Sequence, residues 1–336
     1  MFAEIFDNDF KNCSWETTYY EHDSRIKPLL IKIEHFEGDS EKICFIDENK
    51  NYVKMSNDLE ILEIDSLLYS NTFPETVNYI KDLITFDNVY NIIALVNKTF
   101  KVLLLDISKR TWEFINFPSA IYSCLLVQDQ TYNRFVLLVG GNNIIYLYDI
   151  PSKRILSKYL TSNSGIISNF IYLGGCLFIS ISIKKNLELW DIRRNNEPLR
   201  IFTGLTPYMI SSINSLDVDK FSSTSIFLIQ GSKDGSFQIS NIHNGINIKK
   251  GKYKNVSDNM KSIKFLFKEQ HFAVSLFENS NALYVINLNT CEERLITKIP
   301  CQNKSSLQFI CVLTECKRLL FLENNRFIMI KFTVNK

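Results

Sequence analysis

The side chains best placed to do chemistry lie in "NLELWDIRRNNEPLRIF", residues 186–202. A carboxylate (Asp191) beside an aromatic ring (Trp190), with two guanidinium groups straight after it (Arg193 and Arg194), has the makings of an acid–base or anion-binding site. No second catalytic group stands at a fixed distance from it. There is no GxSxG, HExxH or Walker glycine loop. The four histidines (His22, His35, His243 and His271) are dispersed, and the eight cysteines show no CxxC. A metal centre needs such ligands clustered. Cys311 and Cys316 stand as C-x4-C and read as core residues. Most of the cysteines sit in apolar runs such as "IYSCLLV", where a thiol behaves as a small hydrophobe, so the expectation is free thiols in a reducing compartment. The adjacent Glu292 and Glu293 read as solvated turn charges. No cofactor and no enzymatic activity are expected.

The elements around Asp191 explain it differently. Short runs of Ile, Leu, Val, Phe and Tyr alternate with Asn, Asp, Ser, Gly and Lys clusters along most of the chain, which predicts strands and turns. "LELWDI" (187–192) has counterparts in "VLLLDI" (102–107), "IYLYDI" (145–150), "FQISNI" (237–242) and "LYVINL" (283–288). The fifth position holds Asp106, Asp149, Asp191, Asn241 and Asn287, at spacings of 43, 42, 50 and 46 residues. Each copy follows a strand and a polar turn and precedes one more strand, as in a repeat.

These residues, with Trp190–Asp191 and the "SKDG" turn containing Asp234, resemble the WD-repeat family of β-propellers. The resemblance covers 76–297 directly and the ends by extension. It implies an all-β fold: a seven-bladed β-propeller of four-stranded blades. Blade 1 spans 28–64, and blades 2 to 6 span 76–115, 120–161, 165–203, 208–252 and 260–297. The last unit supplies three strands, and the N-terminal strand "SWETTYY" (14–20) completes it, closing the ring. Residues 14–336 form this single domain. Residues 1–13 are an N-terminal extension with a short helix whose apolar face is Phe2, Ile5, Phe6 and Phe10. The chain departs from the family in having no Gly-His dipeptide, and its tryptophan slot holds Leu105, Tyr148, Ser240 and Ile286 in the other copies. The repeats are degenerate, and apolar packing is expected to outweigh buried polar networks. Within this frame Asp191 is a turn residue accepting backbone N–H groups, and Trp190 packs between blades.

The charges show one further pattern. "DISKRT", "DIPSKRI" and "DIRRNN" place Lys109 and Arg110, Lys153 and Arg154, and Arg193 and Arg194 at equivalent turns. Equivalent turns of a propeller lie on one rim, so these residues form a candidate basic arc for an acidic protein segment. Aromatic residues do not interleave with them, and the formal net charge is only +2, so direct nucleic-acid binding is not indicated. "WDIR" (190–193) also resembles the motif by which some WD-repeat proteins dock on cullin-type ubiquitin ligases. "IRRN" is similar to the basic pair of phosphoinositide-binding propellers but has Asn195 where they have Gly. "KKGKYKN" (249–255) reads as a solvated connecting loop, with binding to an anionic partner as the alternative, and the Gly pairs at 140–141 and 174–175 read as tight turns. No run is apolar enough to span a bilayer, and the N-terminus lacks the pattern of a secretory signal. The expected role is a non-catalytic scaffold or adaptor, a monomer within a hetero-complex, in the cytoplasm or nucleus. A ubiquitin-ligase substrate receptor and a propeller enzyme are the alternatives.

Overall fold

Strand after strand forms where the apolar runs stand. The computed structural model of the chain describes residues 13–21, 28–35, 41–47, 49, 51–56, 59–66, 84–87, 92–96, 100–106, 109, 111–129, 134–162, 165–183, 186–194, 197–202, 213–222, 225–254, 256–266, 272–300, 307–313, 318–323 and 326–334. Among these residues there are strands and turns and no helix. The expected N-terminal helix falls on residues outside the described ones.

Strand β1 (Cys13–Glu21) comes first. Sheet 1 follows, with β2 (Pro28–His35), β3 (Glu41–Asp47), β4 (Asn51–Met55) and β5 (Ile61–Ser66). Sheet 2 has β6 (Ile84–Asp87), β7 (Ile92–Val96), β8 (Lys101–Asp106) and β9 (Thr111–Asn116). Sheet 3 has β10 (Ser123–Asp129), β11 (Arg134–Gly140), β12 (Ile144–Asp149) and β13 (Arg154–Leu160). Sheet 4 has β14 (Ile167–Gly174), β15 (Leu177–Ser182), β16 (Leu187–Asp191) and β17 (Arg200–Phe202). Sheet 5 has β18 (Ile213–Ser222), β19 (Ser225–Ser232), β20 (Ser236–Asn241) and β21 (Asn247–Lys252). Sheet 6 has β22 (Met260–Phe265), β23 (Phe272–Phe277), β24 (Ala282–Asn287) and β25 (Glu293–Lys298). Sheet 7 has β26 (Leu307–Leu313), β27 (Arg318–Glu323) and β28 (Arg326–Val334). Its fourth strand is β1, paired with β28 in continuous antiparallel register from Cys13↔Val334 to Glu21↔Arg326. In sheets 1 to 6 the strands lie in chain order, and every pairing is antiparallel.

Sheets 3 to 7 bury both faces, which is why their middle strands read as largely apolar runs. Sheet 3 shows the division. Leu137, Val139, Tyr146 and Tyr148 pack on Val102, Leu104 and Ile115 of sheet 2. Their strand neighbours Val136, Leu138, Ile145 and Leu147 point the other way, onto Ile167, Phe178 and Trp190 of sheet 4. The same interleaving joins sheets 4 and 5, 5 and 6, and 6 and 7. Sheet 7 then packs on sheet 1: Leu320, Leu322, Phe327 and Met329 meet Ile43, Phe45, Val53 and Met55. First strands lie beside one another, β2 with β6, β6 with β10, β10 with β14, β18 with β22, and β22 with β26. The outer strands are the exposed ones, with β21 alternating between exposed and half-buried positions.

Close approach between sheets fixes two glycines. A Cβ on Gly140 of β11 would lie 2.8 Å from Ile167 Cβ in sheet 4, and one on Gly231 of β19 would lie 2.6 Å from Ile263 Cγ2 in sheet 6. Both occupy the second strand of their sheet and admit the first strand of the next. Gly140 and Gly174 are each the last residue of a strand, β11 and β14, whereas Gly175, at φ 59°, lies in the β14–β15 turn. A second difference concerns "KKGKYKN": residues 249–252 belong to β21, not to a connecting loop. The polar residues there sit on an outer edge, where alternation needs no apolar face.

Candidate functional site

The turns after the third strands carry the sequence-predicted residues, and each is held by the side chain that ends the strand. Asp106 Oδ1 accepts the Lys109 N–H at 3.0 Å. Asp149 Oδ2 accepts the Ser152 N–H at 3.2 Å and its hydroxyl. Asp191 Oδ1 accepts the Arg193 N–H at 3.0 Å. Asn241 Oδ1 takes the N–H groups of His243 and Asn244, and Asn287 Oδ1 those of Asn289 and Thr290. A neutral amide thus does the same work as a carboxylate, because the task needs only an acceptor oxygen. Four residues past the strand end, Lys153, Gly245 and Cys291 all take left-handed backbone, with φ of 55°, 71° and 60°, and Leu59 does so after β4 at 65°. Gly245 marks that position in sequence; Lys153 and Cys291 do not. Asp234 caps a turn of the other kind, between second and third strands. Its Oδ1 accepts the Ser236 N–H at 3.0 Å, and Asp47 plays the equivalent part toward Asn51.

The basic arc is only partly available. Lys109, Lys153 and Arg193 are well exposed, yet each ammonium or guanidinium already faces a carboxylate: Asp106 at 2.9 Å, Glu113, and Asp191 at 2.6 Å. Arg193 closes on Asp191 with two bonds, Nε to Oδ1 and Nη2 to Oδ2. That donation holds the Asp191 carboxyl below its ordinary range against the opposing effect of burial, and raises the Arg193 guanidinium above its own. The bond to Glu113 likewise raises Lys153. Arg154 and Arg194 are exposed and form no ion pair among the described residues. Arg110 lies outside the described residues.

A feature that single-sequence reading missed ties these turns to their neighbours. Glu113 on β9 reaches Lys153 in the sheet 3 turn. Tyr159 on β13 donates its hydroxyl to the Ile192 carbonyl in the sheet 4 turn at 2.8 Å. Arg200 on β17 donates Nη2 to the His243 carbonyl in the sheet 5 turn at 2.9 Å. Lys249 on β21 donates Nζ to the Asn289 carbonyl in the sheet 6 turn. In four successive places, the outer strand of one sheet grips the third-strand turn of the next.

Trp190 is fully buried, with Nε1 donating to Ser180 Oγ at 3.0 Å and its ring stacked on Phe178 at 6.3 Å. Buried polar pairs recur: Tyr253 with Ser275 at 2.8 Å, and Glu188 Oε1 accepting the Ser162 N–H at 3.0 Å and its hydroxyl. Burial raises the Tyr253 phenol above its ordinary value. On the opposite edge, Asp258 accepts N–H groups from Asn259, Asn279 and Ser280 and the Ser280 hydroxyl. Burial alone would raise that carboxyl, but the donors together lower it. Among the described residues no group of three or more His, Cys, Asp or Glu is placed to hold a metal ion, and no helix is long and apolar enough to cross a membrane. Cys124, Cys176 and Cys291 are free thiols. His22, His271, Cys301 and Cys316 lie outside the described residues.

Comparison with models of known protein families gives no match, and no curated protein matches the chain.

Proposed function

We propose that the chain is a closed, seven-bladed, WD-like propeller that acts as a non-catalytic scaffold, presenting rigid turns to protein partners inside the cytoplasm or nucleus. The propeller reading is supported by the sheets packing in chain order, by sheet 7 packing on sheet 1, and by the β1–β28 pairing. The scaffold reading is carried by one observation: turn after turn on the same edge is pinned by an Asp or Asn cap and latched to the neighbouring sheet. A surface ordered before binding loses little entropy on binding, which favours recognition. Arg154 and Arg194 are the arc residues best placed to meet an acidic segment, since Lys109, Lys153 and Arg193 are engaged. The ligase-receptor reading rests on Arg193, which Asp191 holds, and no observation favours it over the scaffold.

The test is quantitative affinity purification of the tagged chain beside the Arg154→Glu/Arg194→Glu variant, with cross-linking to map the contacts. The expected result is a stoichiometric protein partner cross-linked near these turns and lost from the variant. Substoichiometric binding throughout, or every partner retained at equal yield with cross-links elsewhere, would overturn the arc as the binding surface.

A further inference from the structure

A bulge recurs between third and fourth strands, and what it does with its extra residue differs among sheets. In sheets 3 and 6 the extra residue, Leu156 or Ile296, packs against the inter-sheet core. In sheets 1 and 5 the extra residue, Leu62 or Ile248, is 51% or 53% exposed. Around Leu62 stand Ile61 and Ile64, 41% and 50% exposed, and near Ile248 stands Ile246, 59% exposed. No strand pairs with the outer edge of β5 or β21 among the described residues. Lysines on an edge strand ordinarily discourage pairing with a like edge, but here they stand beside Ile246 and Ile248, exposed apolar side chains that a solvated edge has no use for.

The two edges are complementary. β5, with the residue before it, reads Glu60-Ile-Leu-Glu-Ile-Asp-Ser, acidic and apolar. β21 reads Asn-Ile-Lys-Lys-Gly-Lys, basic with one apolar side chain; Lys250 and Lys252 are exposed, and Lys252 faces Asp234 of its own sheet at 3.3 Å. Both strands are six residues long. We infer that β5 of one copy of this chain adds to the β21 edge of a second copy, joining their sheets by main-chain hydrogen bonds and opposite charges. The sheets are different, so the contact is heterologous and leaves one free edge of each kind on a pair of copies. A six-residue strand pair, about 20 Å long, is far smaller than a permanent interface, so the chain is a monomer when dilute and associates when concentrated. The inference is independent of the basic arc.

Sedimentation velocity tests it. The weight-average mass is expected to rise above the monomer value between about 1 and about 300 µM, and to fall back as salt screens the charges. Lys250→Glu/Lys252→Glu and Glu60→Lys/Glu63→Lys should each remain monomeric while keeping the wild-type circular dichroism spectrum. Mixing the two restores association, because each variant then meets an edge of opposite sign. The Arg154→Glu/Arg194→Glu variant should associate like wild type. A fluorescent peptide of residues 59–66 should bind wild type and lose at least about tenfold in affinity for the β21 variant. A wild-type chain that stays monomeric throughout overturns the inference, as does association undiminished in both variants. Peptide binding by a chain that never self-associates also overturns it, and gives the β21 edge to an acidic strand of another protein.

Discussion

Replacing Asp191 with alanine removes one acceptor from the Arg193 N–H and two from its guanidinium. The backbone bond contributes about 1 kcal/mol net. The ionic part contributes less than its geometry promises, about 0.5 kcal/mol, because Arg193 is 61% exposed and water competes for it. Asp191→Ala should therefore cost about 1.5 kcal/mol and lower the urea midpoint by about 0.5 M. Asp191→Asn keeps the acceptor that Asn241 and Asn287 use at the same position and should cost only about 0.5 kcal/mol. The Asp191 carboxyl titrates lower in the folded chain than in the unfolded one. Its ionic contribution is thus fully present above about pH 4 and is lost as pH falls through the folded value, so in acid wild type should fall to the level of Asp191→Asn while both stay above Asp191→Ala. Urea titrations at pH 7 and at low pH, followed by tryptophan fluorescence, read all of this. An asparagine variant as unstable as the alanine one would refute the cap, and a wild-type advantage over asparagine that persists undiminished in acid would refute the ionic part.

Gly231→Ala should destabilise by about 1–3 kcal/mol in thermal unfolding, because its Cβ would sit 2.6 Å from Ile263 Cγ2 and 2.7 Å from Met260 Sδ. Trp190→Phe leaves the buried Ser180 hydroxyl without its donor and should cost about 2 kcal/mol, and adding Ser180→Ala should return about half of it.

Local pattern carried the strands. The third-strand runs ending in Asp or Asn mark β8, β12, β16, β20 and β24, and the caps work as their side-chain chemistry requires. β21 was harder to read, because an outer strand packs on one side only and need not look apolar. Buried polar groups such as Ser180, Ser275 and Glu188 are equally hidden, since one polar residue inside an apolar run carries no sign of its partner. The expectation of mainly apolar packing thus leaves out a set of buried hydrogen bonds. The latches were invisible for a different reason. Their partners lie 40, 33, 43 and 40 residues apart, about one repeat, and no local pattern connects such distant positions. The same distance hides the commitment of Lys153 to Glu113, so the arc looked more strongly basic in sequence than it is in the fold.

The pairing of β1 with β28 sets a timetable for synthesis. Most other pairings join strands made within seconds of each other, but Cys13 must wait for Val334. At ribosomal speeds of about 5–20 residues per second, β1 stands exposed for roughly 15–65 s before its partner exists. Bringing together ends so distant also carries the largest loop-closure entropy in the chain. The first of the described strands to leave the ribosome is therefore the last to find its place, and until then both β1 and the growing edge of the molecule are open to chaperones or to the wrong strand.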